Sequence, residues 1–279
     1  MKHKEGYFKE ARDTSIYYQS WLPEDEPKAC LILVHGLAEH SGRYRNVVNY
    51  FVPSGYAVYG IDHIGHGKSG GERGYVERFR DYTLPLKTYV DMIHDEAPEK
   101  PLFMIGHSMG GLIAVAFLLE HPYELSGAVL SGPSVKVPDN ISKTVVFIGK
   151  ILSGIMPRSG ILQLDANGVS RDPAVVEAYV NDPLVYTGKI SARLGAEMLK
   201  TMRNVIEKTS DITLPIMIVQ GGDDRLVDPS GAQLLYDTLG SSDKTVKIYD
   251  GFYHEVFNEP QHGQVLHDVK EWVEAHLLN

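Results

Sequence analysis

The chain reads as an α/β protein, with a mostly parallel sheet covered on both faces by helices and a helical segment inserted between two strands. Two observations carry that reading. From residue 29 onward, short and almost continuous apolar runs alternate with helix-length amphipathic segments, the pattern of buried strands joined by crossover helices. One interval, residues 134–209, breaks the rhythm with several helical patterns and no clear strand.

The elements follow in order. Tyr17-Tyr18-Gln19-Ser20-Trp21-Leu22 comes after a turn at Asp13-Thr14 and pairs as a hairpin with residues 4–10. Strands are expected at 29–34 (ACLILV), 57–61 (AVYGI), 102–105 (LFMI), 127–130 (GAVL), 215–219 (PIMIV) and 245–249 (TVKIY). Helices fall near 43–53, 79–97, 109–120, 230–239 and 261–278. Residues 1–133 and 210–279 therefore form the sheet core, and 134–209 an insertion. Ligands of open α/β sheets bind beyond the carboxyl ends of the strands. An insertion at that edge covers the site, so it is expected to act as a cap.

Composition removes several functional classes. The 279 residues are 43% hydrophobic and carry a net charge of −9 with no basic run. Phosphate contact needs clustered Lys and Arg, so no nucleic-acid partner is expected. Cys30, the single cysteine, permits no internal disulfide or cysteine metal site and reads as a buried core residue. The N-terminus lacks an apolar signal region, and no window holds the about 18 consecutive apolar residues of a membrane span. The expected compartment is the cytoplasm, and Asn140-Ile141-Ser142 is then a chance sequon. Asp62-His63-Ile64-Gly65-His66 matches no zinc spacing and reads as a turn. No Gly-x-Gly-x-x-Gly opens a helix after the first strand, so neither metal nor dinucleotide is expected.

Gly106-His107-Ser108-Met109-Gly110 carries the chemistry. It fits Gly-x-Ser-x-Gly and lies between a strand and a helix, the context that lifts a serine Oγ above the sheet at a helix N-terminus. A serine hydroxyl needs an adjacent base held in one tautomer. With this motif the chain order is serine, acid, histidine. Four histidines follow the insertion: His254, His262, His267 and His276. The last three fall in the C-terminal helix and read as surface residues. His254 lies where the strand 245–249 gives way to a loop, and is the expected base. The acid should end the strand before it, where Asp223, Asp224 and Asp228 compete. Asp228 precedes Pro229 and fits a helix N-cap. Spacing does not separate Asp223 from Asp224. The oxyanion donors would be the backbone N–H of Met109 and that of Leu37, in the loop after the first parallel strand.

These residues make the sequence resemble the monoacylglycerol lipase and lysophospholipase-like branch of the α/β-hydrolase fold. The resemblance covers nearly the whole chain. Its strings are His35-Gly-Leu-Ala-Glu-His-Ser-Gly-Arg-Tyr44, Asp62-His-Ile-Gly-His-Gly-Lys-Ser69, Gly106-His-Ser-Met-Gly-Gly111, Ser131-Gly-Pro133, Asn181-Asp-Pro-Leu184, Gly222-Asp-Asp-Arg-Leu226 and Tyr253-His254. It implies an eight-stranded sheet, Asp224 as the acid, no cofactor, and hydrolysis of a monoacylglycerol through an acyl-enzyme. It also implies a polar head-group pocket built from Glu39, Arg43 and Tyr179. The plainer reading of Glu39 and Arg43, four apart, is a structural ion pair. Some relatives carry a second histidine three residues after the first, where this chain has Phe257, so a broader carboxylesterase or lysophospholipase specificity is the alternative. A ligand receptor on the same fold is disfavoured by the intact triad, and a dehalogenase by Ser108 in place of an aspartate.

Within the insertion, Ser142–Met156 sets Val145, Val146, Ile148, Ile151, Leu152, Ile155 and Met156 at helical spacing. This reads as a core helix, or as an interfacial helix that brings the cap to a membrane or micelle surface. Residues 134–209 carry a net charge of +3 against −12 for the remainder, a polarity that suits an anionic lipid surface. The sequence carries no signal for oligomeric state.

Overall fold

The structure is a computed structural model that describes residues 1–10, 13–136 and 151–277. Its strands are β1 (Lys2–Glu10), β2 (Thr14–Leu22), β3 (Cys30–Val34), β4 (Ala57–Ile61), β5 (Leu102–His107), β6 (Gly127–Ser131), β7 (Gly160–Leu162), β8 (Ile190–Ser191), β9 (Ile216–Gly221) and β10 (Lys244–Tyr249). Eight of them form one sheet in the order β1-β2-β4-β3-β5-β6-β9-β10. The β1–β2 hairpin and the β2–β4 pair are antiparallel, and the other pairs are parallel. Each expected strand is present within three residues at either end.

The helices are α1 (Arg45–Phe51), α2 (Arg80–Glu96), α3 (Met109–Glu120), α4 (Pro173–Asn181), α5 (Ala192–Ile206), α6 (Ser230–Thr238) and α7 (His262–Ala275). They divide by face. Along β3, Cys30, Ile32 and Val34 pack on the side of α2, α3 and α5, while Leu31 and Leu33 pack on the side of α1 and α7. That is the two-residue period of a strand buried on both faces. Fully burying one such Leu or Ile contributes about 1.5–3 kcal/mol, so the register of the central strands is strongly specified. Helix α3 is buried almost all round. A Cβ on Gly110 would lie 1.9 Å from the Val34 carbonyl oxygen, so only glycine lets α3 sit directly on β3.

Among the described residues, 132–136 and 151–215 add no strand to the main sheet. They hold β7, β8, α4, α5 and a helical stretch at 151–155. The expectation of no strand here is corrected, because β7 and β8 pair antiparallel as a separate small ladder. Elements of two and three residues are too short to show alternation in sequence. Asp172 caps α4 through Ala174 N–H at 2.9 Å with Pro173 as its first residue, and Ser191 caps α5 through Leu194 N–H at 3.2 Å. The expected helix over 142–156 lies outside the described residues from 142 to 150. No helix among the described residues is long and apolar enough to cross a membrane.

The C-terminal helix brings a second correction. His276 is not a surface residue; it is 8% exposed, with Nδ1 2.6 Å from the Trp272 carbonyl and Nε2 2.9 Å from Asp243. Its place in the C-terminal helical pattern suggests a surface residue, but it caps the helix end, where its ring folds inward.

Candidate active site

Ser108 stands at the junction of β5 and α3 with φ 55° and ψ −119°, a backbone conformation that is costly for a residue with a side chain. The strain is held by neighbouring backbone, since Ser108 N–H donates to Ser131 at 2.9 Å and its carbonyl accepts from Gly111, Leu112 and Ser134 N–H. Its Oγ lies 3.4 Å from Ser134 Oγ. Met109 is the first residue of α3, so its N–H has no helical acceptor and remains available to a ligand. Leu37 lies in the loop after β3, and Gly36 N–H in that loop is fixed by Glu39 Oε1 at 2.7 Å.

The structure separates the three candidate aspartates. Asp224 Oδ2 is 2.7 Å from His254 Nδ1. The carboxylate is held by Gln220 Nε2 at 2.9 Å and by the N–H groups of Leu226 and Val227 at 2.8 and 3.1 Å. Asp223 is exposed. Asp228 Oδ1 accepts from Ser230 N–H at 2.9 Å just before α6, one residue ahead of the cap residue Pro229 rather than at the cap expected of it, and its other oxygen is 2.6 Å from Lys136.

Electrostatics follow this geometry. Burial opposes the charged form of both His254 and Asp224. The Asp224 charge and hydrogen bond outweigh that burial and raise His254 above the usual imidazole value. The His254 charge and hydrogen bond, with the backbone N–H groups, hold Asp224 below the usual carboxylate range. The His107 ring packs against His254 with centres 4.6 Å apart and planes tilted by 49°. Burial and the His254 charge push it down to about 4. A Cβ on Gly132, whose φ is 51°, would come within 3.2 Å of the His254 ring, so this glycine keeps room for it.

Ser108, His254, Leu37, Glu39 and Tyr179 line one cavity of about 1140 Å³. Its remaining wall is largely apolar, with Leu152, Ile161, Leu162, Met198 and Met202 among it. Arg43 sits behind that wall and lines an adjoining cleft of about 580 Å³. The Glu39–Arg43 ion pair is present at 2.9 Å, and the guanidinium lies 4.6 Å over the Tyr179 ring.

Four nearby residues escaped the sequence reading: His107, Ser134, Gln220 and Glu255. Glu255 had a legible signal, being a charge between His254 and the apolar pair Val256-Phe257. It pairs with Arg43 through both oxygens, at 2.6 and 2.9 Å. Ser134 meets Ser108 across 26 positions, a pairing that local sequence does not encode, while Gln220 lies four residues before the Asp224 it holds.

Among the described residues no group of acidic, histidine or cysteine side chains could hold a metal ion. A histidine held by a carboxylate beside a strained serine, with free N–H groups at a helix start, can support nucleophilic attack on a carbonyl carbon.

Comparison with known proteins gives the family. The model of the family described as "Serine aminopeptidase, S33" matches residues 25–261. The chain belongs to this family. It is a lipase-like α/β-hydrolase. This S33 hydrolase is 40% identical over 262 residues to a monoacylglycerol lipase of Mycolicibacterium smegmatis, covering 94% of both chains. It is 35% identical to the monoglyceride lipase of Mus musculus, over 92% of this chain and 86% of that one. Among solved structures, a monoacylglycerol lipase of Paleococcus ferrophilus superposes with a TM-score of 0.82 at 29% identity, covering 99% of this chain and 100% of that one.

Proposed function

We propose that this S33 hydrolase cleaves monoacylglycerols to fatty acid and glycerol through an acyl-enzyme. The observation that carries the proposal is the shared cavity: strained Ser108 and the Asp224-held His254 both open into one large, mostly apolar space. Ser108 Oγ attacks the ester carbonyl and His254 Nε2 takes its proton, the hydroxyl turning from Ser134 toward the ring. Asp224 keeps the Nδ1 proton and steadies the imidazolium that forms. The N–H groups of Leu37 and Met109 receive the oxyanion. His254 returns its proton to the leaving glycerol oxygen. It then activates a water that releases the fatty acid and frees Ser108.

The acyl chain lies along the apolar wall, and the glycerol faces Glu39 and Tyr179, with Arg43 behind them. Residues 134–209 serve as the cap over this cavity, since α4 and α5 supply Tyr179, Met198 and Met202 to its wall. The cap also presents Ile151, Ile155, Met156 and Val180 to solvent, an apolar surface suited to brief contact with a micelle or membrane.

The test is kcat/KM for mono-, di- and triacylglycerol of one chain length in matched micelles, beside fluorophosphonate labelling of wild type and Ser108→Ala. Extra tails would displace water from Glu39 without replacing its hydrogen bonds, so preference for the monoacyl ester is expected. Labelling should vanish in Ser108→Ala. Equal rates on mono- and triacylglycerol, or labelling that persists, would overturn the reading.

A further inference from the structure

Glu255 is a buried charge that the mechanism above leaves unused. It directly follows His254, is 5% exposed, and lines the same cavity as Ser108. Arg43 Nη1 donates to its Oε1 at 2.6 Å and Nη2 to its Oε2 at 2.9 Å, and Asn258 Nδ2 donates to Oε2 at 2.9 Å. The same Nη1 donates to Glu39 Oε2 at 2.9 Å. The other Glu39 oxygen takes two uncharged donors, Gly36 N–H and Tyr44 OH, at 2.7 and 2.8 Å. Two buried carboxylates therefore share one guanidinium, and the network keeps one negative charge in surplus.

Other charges on the cavity wall do not cancel it. Lys136 is 2.6 Å from Asp228, and Arg193 lies beside Glu77 and Glu197. Lys200 and Arg203 are exposed side chains that water and salt screen. His107 stays neutral at ordinary pH, because burial and the neighbouring His254 push it down to about 4.

We propose that Glu255 is a specificity-determining residue, which makes the head-group wall net negative so that the site admits esters of neutral alcohols and rejects those whose alcohol part carries a phosphate or carboxylate. The inference rests on the reading of Ser108 as an ester nucleophile. A like charge brought to this wall meets repulsion that the largely apolar cavity screens less than bulk water would. Arg43 offers no rescue, since both its Nη atoms are committed. Turning to an anionic substrate would leave a buried carboxylate unpaired. Hydroxyl groups meet no such barrier and can donate to the remaining carboxylate lone pairs.

The test compares a 1-acylglycerol with the matching 1-acylglycerol 3-phosphate, both below their micelle concentrations, and reads the ratio of kcat/KM within each variant. Wild type should favour the neutral ester by roughly 10- to 100-fold. Glu255→Gln should shrink that ratio about tenfold or more, whatever it does to overall rate, and Glu255→Asp, which keeps the charge, should retain it. Equal rates in wild type overturn the proposal, as does an unchanged ratio in Glu255→Gln or a lost one in Glu255→Asp. Should Glu255→Gln fail to fold by circular dichroism, the wild-type and Glu255→Asp ratios still decide. Failure of wild type to cleave the neutral ester would instead overturn the functional reading beneath it.

Discussion

His254 and the cluster of His35, His63 and His66 are all buried, yet they are tuned in opposite directions. His254 has a carboxylate oxygen at 2.7 Å and is raised above the usual imidazole value in spite of its burial. His35, His63 and His66 pack ring against ring, with centres 4.2, 5.3 and 6.3 Å apart, and burial lowers all three, His66 to about 3. Asp62 lies close to this second cluster, yet its oxygens accept from Ser41 N–H, Ser41 Oγ and Lys68 N–H rather than from a histidine. The cluster's rings instead meet backbone: His35 Nε2 accepts from His63 N–H at 2.9 Å, and His66 Nδ1 lies 3.0 Å from the Ile64 carbonyl. Burial is common to both groups. What distinguishes His254 from the other three is a single carboxylate oxygen at 2.7 Å.

Removing that carboxylate is the sharpest way to break the contrast. Asp224→Asn should lower kcat by about 10⁴, the penalty seen when a triad histidine loses its acid and adopts the wrong tautomer. Asp223→Asn, at an exposed position, should stay within about threefold of wild type, since surface changes away from the site have small effects. Comparable losses at the two positions would assign the acid wrongly.

Acid titration of activity probes the same difference more gently. His254 must be neutral to accept the Ser108 proton, and its folded value is raised. The acidic limb of kcat/KM should therefore lie above about 6.5, the free imidazole value, with activity falling as pH drops through it. A limb below that value would mean that Asp224 does not set the basicity of the working base.

Acid stability reads the other half. His35, His63, His66 and His107 have folded values lowered from the free one. Their contribution to stability is present above about 6.5 and is lost as pH falls toward the folded values, at up to about 1.4 kcal/mol per histidine per pH unit. His254, being raised, works the other way, in the window above about 6.5. The urea midpoint should thus fall between pH 7.5 and 5.5, a window above the range where most carboxylates titrate. An unchanged midpoint would show these rings accept protons in the folded state.

Most of the fold was legible because its signals are local. Strands such as ACLILV are apolar on both faces, and the Gly-x-Ser-x-Gly string fixes strand, turn and helix within a few residues, so the sheet core and Ser108 could be read directly. The position of His254 followed from chain order and one strand end. The small β7–β8 ladder was missed because elements that short have no period, and inward-turned His276 because helical spacing says nothing past the helix end.

By itself, then, the sequence determined the doubly covered sheet, the inserted segment and a serine at the junction of β5 and α3. Those depend on apolar periodicity and on glycines whose Cβ would collide with backbone. Only the tertiary structure shows which of the adjacent Asp223 and Asp224 meets His254, since that depends on which carboxylate the loop after β9 turns toward the ring. It alone brought Glu255 across 212 positions onto Arg43. Partners so far apart in the chain meet through sheet order, and their shared net charge exists only once the strands have assembled.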